Sequence, residues 1–309
     1  MAKAKSIRHH FVPQFYLQGF NSPYVWVYRK DNGAIIKSSV KDTAVHQHYY
    51  SFTTKAGTRD SQTLEKWFSE VETSVAKIYR KILNKELLNN EERSRFATFL
   101  ALTLTRVPNY RENMVNKPTA ELMKRMQVIM ASNKEHFKAH IKRYEKDTGE
   151  KISIPIEQLR EYLLKGNYDV KVGNPDYSLS FIFSTAQKVA PIFHGMKWAF
   201  LETTENEYFL TSDNPLYYMD PTYKLGSFYG VGLMNRKLEV TFPLSKNLAL
   251  LATWEGSTGY LQANSSVRET LNWRTIVSAQ NFVFAPEKSQ TLNQLVQKYK
   301  NSSPKMRVS

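Results

Sequence analysis

Between Phe96 and Leu104 the chain reads FATFLALTL, which is apolar nearly all the way round a helix. A helix with no polar face has to be enclosed on every side, so this segment is expected at the centre of the fold. Asn90 reads as its cap, with Glu91 and Glu92 in a first turn where the helix dipole favours carboxylates. Val107-Pro108 should end or kink it, because a proline disfavours helical geometry in the residue before it.

A helix buried this fully needs partners. From Ser61 onward, Leu64, Trp67, Phe68, Val71, Val75, Ile78, Tyr79 and Ile82 recur at helical spacing. A long third helix is expected from Thr119 to about Lys146, a short one from Ile156 to Leu164 after Pro155, and another from Leu179 to Phe193. Before these helices, Pro13 to Gly19 reads as a short helical entry, and Val25–Tyr28 and Ala34–Ile36 flank the hairpin turn Asp31-Asn32-Gly33. An extended piece is expected at His48–Phe52. After the helices come strands at Trp198–Glu202, Tyr208–Thr211, Leu238–Phe242 and Leu248–Thr253, a helix at Val267–Ala279, the strand Phe282–Ala285 and a last helix at Thr291–Tyr299. Strands, then helices, then strands with flanking helices make an α+β fold. The expected picture is a central helical layer with an N-terminal hairpin and C-terminal antiparallel strands. It forms one domain over residues 1–300, divisible into a β-rich part (1–60), a helical part (61–195) and an α+β part (196–300), followed by a polar tail, 301–309, that frays.

Aromatics make up 13% of the 309 residues, which excludes disorder throughout. The chain has no cysteine, so thiolate metal sites and a cysteine nucleophile are excluded. The basic start is followed by His9-His10 where a leader peptide would be apolar, and a cytoplasmic protein is expected. Lys and Arg number 43 against 28 Asp and Glu, a net charge of +15 that favours polyanionic partners. Eleven of those cations against six acids fall between Arg106 and Lys151.

Four polar groupings sit beside apolar sequence. His9-His10 can act as base and ligand, or one can be a buried histidine bonded to backbone. Glu65 and Glu72 lie seven apart, nearly two turns, on one stripe at the margin of the apolar face. Arg106 leaves the buried helix as a cation that cannot deprotonate and so needs a partner, either one of those carboxylates or a substrate phosphate. Thr211-Ser212-Asp213-Asn214-Pro215 follows a strand and combines a carboxylate, an amide and hydroxyls with turn chemistry. His136 and His140, four apart among lysines, read as a solvated face, and neither a glycine-rich phosphate loop nor a nucleophile elbow occurs.

In sequence order these motifs resemble domain-of-unknown-function family 4238. The opening His9-His10-Phe11-Val12-Pro13-Gln14-Phe15-Tyr16-Leu17-Gln18-Gly19-Phe20 is similar to its HHxVPxFYLxxF start. The Glu72 helix, Phe99-Leu100 to Pro108, Thr211–Leu216, Asn272 and Ala279–Val283 continue the resemblance, which covers roughly His9 to Phe284. Thr105-Arg106-Val107-Pro108 stands where the family has Arg-Thr-Pro, so the arginine carries over to Arg106 and the threonine does not. The resemblance implies a grouping and no settled activity.

The expected function is a nucleic-acid-directed hydrolase, a metal-dependent phosphodiesterase or nuclease set in a host-defence or mobile-element system. Its candidate site is His9, His10, Glu72, Arg106, Asp213 and Asn214. Glu72 and Asp213 would hold Mg²⁺ or Mn²⁺, His10 would act as base or ligand, and Arg106 would stabilise phosphate charge. These side chains are expected to meet in one cleft lined by Phe15, Tyr16 and Trp67. The alternative is a non-catalytic module that binds DNA or RNA, or sits in a larger protein complex, gripping nucleic acid through Lys138, Lys142 and Arg143 and its tyrosines. A third reading makes His10, Glu72, Arg106 and Asp213 a buried network that fixes the fold.

Overall fold

The structure, a computed structural model, describes residues 8–204, 206–223 and 231–304, with the Pro175 side chain left out. The basic start at 1–7 and the last five residues of the polar tail, 305–309, lie outside the described residues.

The chain opens with strand β1 (Arg8–His10), helix α1 (Gln14–Leu17), the hairpin β2 (Tyr24–Arg29) and β3 (Ile35–Ser39), and short strands β4 (Val45–Gln47), β5 (Phe52–Thr53) and β6 (Arg59–Asp60). Helices follow: α2 (Thr63–Leu83), α3 (Asn90–Thr105), α4 (Lys117–Ser132), α5 (Lys134–Thr148), α6 (Ile156–Lys165) and α7 (Pro175–Gly195). Then come β7 (Lys197–Glu202), β8 (Thr211–Ser212), β9 (Tyr217–Met219), β10 (Glu239–Pro243), β11 (Leu248–Thr253), β12 (Gly259–Gln262), α8 (Ser265–Ser278), β13 (Phe282–Ala285) and α9 (Gln290–Lys298). This is an α+β fold.

Helix α3 is the buried centre that its composition requires, with Phe96, Ala97, Phe99, Leu100, Ala101 and Leu102 all enclosed and α7 packed along it. Its cap is Asn89, one residue earlier than the sequence suggests. Glu92 N–H donates to the Asn89 side chain while the Glu92 carboxylate accepts from Asn89 N–H. The helix stops at Thr105, before Val107-Pro108, as the proline dictates.

The helix expected over Thr119 to Lys146 is two helices. Asn133 takes an extended conformation and its side chain accepts from His136 N–H, capping α5 and breaking the run. A seven-residue π-helical stretch, Tyr110–Asn116, joins α3 to α4.

The two larger sheets are ordered β12-β7-β11-β10-β9 and β3-β2-β13-β8. The first carries the expected C-terminal antiparallel strands, with β12 added parallel to β7 at its edge. In the second, the N-terminal hairpin is not a separate β unit: β13, near the other end of the chain, pairs antiparallel with β2 from Phe282↔Arg29 to Ala285↔Trp26. The expected strand at Tyr208–Thr211 contributes only Thr211 to β8, and the piece at His48–Phe52 is a turn leading into β5. β1 pairs with β4, matching His9 with His46 and His10 with Val45.

Gly19 is required by crowding. A Cβ there would strike the Tyr79 hydroxyl and come within 3.1 Å of the Leu244 carbonyl. No helix among the described residues is long and apolar enough to cross a membrane.

Candidate functional site

The two histidines of β1 have different fates because successive residues of a strand face opposite ways. His9 is fully buried. Tyr50 N–H donates to His9 Nδ1 at 2.8 Å, and His9 Nε2 donates to the Ser61 carbonyl at 3.0 Å. Both ring nitrogens are therefore used, the tautomer is fixed, and burial holds the ring below its ordinary pKa. His9 is a strut joining β1 to the start of α2.

His10 faces the other way, into a cleft of about 260 Å³ walled by Gln14, Phe15, Glu65, Phe68, Ser69, Glu72, Thr73 and Ala76. A carbonyl cannot donate, so the 3.0 Å contact to the Lys41 carbonyl makes Nε2 the protonated nitrogen and leaves Nδ1 as acceptor. Burial lowers the His10 pKa, outweighing the bond to the Lys41 carbonyl and the pull of Glu72, and so favours the neutral ring. Gln14 and Phe15 reach the cleft because Pro13 opens α1 with extended geometry, while Tyr16 and Leu17 turn into the core.

The opposite wall is one stripe of α2, made by residues 65, 69, 72, 73 and 76 at helical spacing. Glu72 accepts a charge-assisted bond from Arg106 Nη1 at 2.8 Å. Arg106 is only 1% exposed, lies over the Phe68 ring at 5.4 Å, and keeps Nε and Nη2 buried without an acceptor. It does not wall the cleft itself and meets it through Glu72 and Phe68. That differs from a guanidinium reaching a bound phosphate: here Arg106 positions Glu72.

Glu65 has no such cation. Its Oε2 is buried and accepts no hydrogen bond. Burial, followed by repulsion from Glu72, raises its pKa to about 7 against the attraction of Arg106. The folded state thus holds this proton more tightly than the unfolded chain, whose ordinary value is 4.5. The stability this contributes is complete below pH 4.5 and is lost as pH rises through about 7. Wild type should therefore lose stability relative to Glu65→Gln across that window. The urea midpoints of the two proteins at pH 4.5 and pH 7.5 test this, and a constant difference would refute it.

Asp213 and Asn214 build a different place. The N–H groups of Gln280, Asn281 and Phe282 donate to the Asp213 carboxylate at 2.8, 2.7 and 3.1 Å. Asn214 Nδ2 donates to the Ser278 carbonyl, and Ser278 Oγ donates back to the Asn214 carbonyl. Beside them is Lys30, 2% exposed, whose Nζ donates to the carbonyls of Ile276 and Ala279. This motif fastens the turn between α8 and β13 and shares no partner with the His10 cleft. The expected divalent site on Glu72 and Asp213 does not fit these donor sets, since one carboxylate is paired with Arg106 and the other is filled by amides. Among the described residues, no group of three or more His, Asp or Glu side chains is arranged to hold a metal ion.

Of the expected aromatic walls, Phe15 lines the cleft. Tyr16 lies in the core with its hydroxyl on Thr211 and the Pro243 carbonyl. Trp67 packs edge-on against Phe68 and Phe183. Gln14, Ser69 and Thr73 were not among the expected site residues, although Ser69 and Thr73 stand four and eight residues after Glu65, on the same face of α2.

The family model described as "Protein of unknown function (DUF4238)" matches residues 8–289. The chain belongs to this family. The match runs from β1 to the residues just before α9, so in this DUF4238 protein it spans both the cleft and the Asp213 turn. No curated protein and no solved structure is similar enough to match.

Proposed function

We propose that the His10 cleft is the active site of a nucleic-acid-directed phosphodiesterase. The observation that carries this reading is convergence. An imidazole from the first strand and two carboxylates from α2 share one cleft, and one of those carboxylates is held by an arginine from the end of α3. His10 Nδ1 is the base for a water molecule, and Glu72 is positioned by Arg106. Gln14, Ser69 and Thr73 offer neutral donors along the wall. With His10 neutral and the Glu72–Arg106 pair balanced, the cleft accepts an anionic ester, and the +15 chain draws polyanions toward it.

The test incubates the protein with single- and double-stranded DNA and RNA, in Mg²⁺, in Mn²⁺ and in EDTA. Wild type should cut at least one substrate, and His10→Ala should cut it about 10²–10⁴-fold more slowly. The reading fails if nothing is cut, or if His10→Ala cuts as fast as wild type.

A binding role has its own support. Lys138, Lys142 and Arg143 lie on α5 with Lys142 and Arg143 exposed, and Arg143 and Lys138 carry only loose intrahelical ion pairs of 3.4 and 3.6 Å. Reversing all three charges should lower the slope of log affinity against log salt by about 0.9 for each duplex phosphate that α5 then fails to neutralise. An unchanged slope removes α5 from the interface.

A further inference from the structure

Three features of Glu65 stand apart from those of Glu72, seven residues along the same stripe. Glu65 lines the cleft, yet its Oε2 is buried with no donor in reach. The nearby guanidinium is bonded to the other carboxylate at 2.8 Å. Glu72 itself, ionised and on the same face, repels a second negative charge. His10 from β1, protonated on Nε2, shares the cleft, and Tyr50, whose hydroxyl donates to the His10 carbonyl, is near enough to interact with the Glu65 charge. None of them offers Glu65 a full positive charge. Two carboxylates in one cleft with opposite surroundings are suited to opposite proton roles.

We infer that Glu65 is the proton donor of this cleft, the group that protonates the leaving oxygen of a bound phosphodiester. The inference rests on the phosphodiesterase reading above. In the step, the water oxygen forms a bond to phosphorus as the ester P–O bond breaks. His10 Nδ1 takes a proton from the water, and Glu65 gives its proton to the departing alkoxide. Glu65 is reprotonated and His10 deprotonated through solvent, so one water is consumed for each ester cleaved. Burial that raises the Glu65 pKa to about 7 keeps a large fraction protonated at neutral pH.

The experiment compares wild type and Glu65→Gln on two synthetic phosphodiesters, one with a nitrophenolate leaving group that departs without a proton and one with an alkoxide that needs it. The carboxyl carbons of ¹³C-glutamate-labelled protein are titrated in parallel. The expected result is a loss of about 10²–10⁴-fold on the alkoxide substrate with little change on the nitrophenyl substrate. One carboxyl should titrate near neutrality in wild type and be missing from Glu65→Gln. Equal losses on both substrates, no loss on either, or a Glu65 carboxyl titrating with the ordinary carboxylates would overturn the assignment while the hydrolase reading stands. If wild type cleaves neither these esters nor nucleic acid, the hydrolase reading itself falls, and the proton-donor role with it.

Discussion

Glu72→Gln is expected to destabilise the protein by about 3–5 kcal/mol, far more than loss of a surface helix ion pair would. The cost arises at Arg106, which is 1% exposed and cannot shed its charge. With Glu72 ionised, one nitrogen has a charge-assisted bond and the ring of Phe68 covers the guanidinium, while Nε and Nη2 already lack acceptors. Neutralising Glu72 leaves a buried cation with no counter-charge beside it. Arg106→Met should cost less, because it removes the charge with the desolvation problem. The double variant should recover much of what Glu72→Gln loses, since apolar replacement of a buried pair is often close to neutral. Urea unfolding of the three variants measures the cycle. A loss below about 1 kcal/mol for Glu72→Gln, the level of a surface pair, would show that the pair does not hold the α2–α3 junction.

Asp213→Ala is expected to cost about 3 kcal/mol or more. Three backbone N–H groups in the partly buried α8–β13 turn would lose their charged acceptor at once, at about 1 kcal/mol or more each. Lys30 would lose its neighbouring charge in the same step. Burial raises the Asp213 pKa to about 6 and lowers that of Lys30 to about 8, so both are charged at pH 7. Activity should fall only in step with the folded fraction, because Asp213 does not line the His10 cleft. A stable Asp213→Ala protein with lost cleavage would reverse that assignment and return Asp213 to the active site.

How much of this was legible follows from the length over which each signal extends. Helices α2, α3 and α7 were readable because a helical period repeats over four or more turns, and α3 because it has no polar side at all. β11 and β13 have the limits their sequences suggest, each an apolar run ending in turn residues. β1 was not readable: three residues carry no period, and its pairing with β4 is long-range. The break at Asn133 hid inside a continuous apolar pattern, since one side-chain cap outweighed the period. Glu65, Glu72 and Arg106 could be linked in advance by geometry, as a helix stripe and a buried cation in need of a partner. Nothing in the strand or turn around Asp213 distinguishes a carboxylate aimed at a cleft from one aimed at its own backbone, and nothing in the hairpin sequence marks Lys30 as a buried cation.

The pairing of β2 with β13 sets a schedule for biosynthesis. The hairpin emerges from the ribosome first, but the strand that completes its sheet comes about 250 residues later, roughly 10–50 seconds at ordinary elongation rates. For that interval the β2 edge is unpaired, and an open edge invites other strands. A nascent chain stalled before Phe282 should leave the β2 amides that face β13 unprotected against hydrogen exchange, whereas release past Ala285 should protect them. The front and back of the gene therefore have to be inherited as one unit. A fragment that ends after α7, however well its helices pack, lacks the strand its own beginning requires.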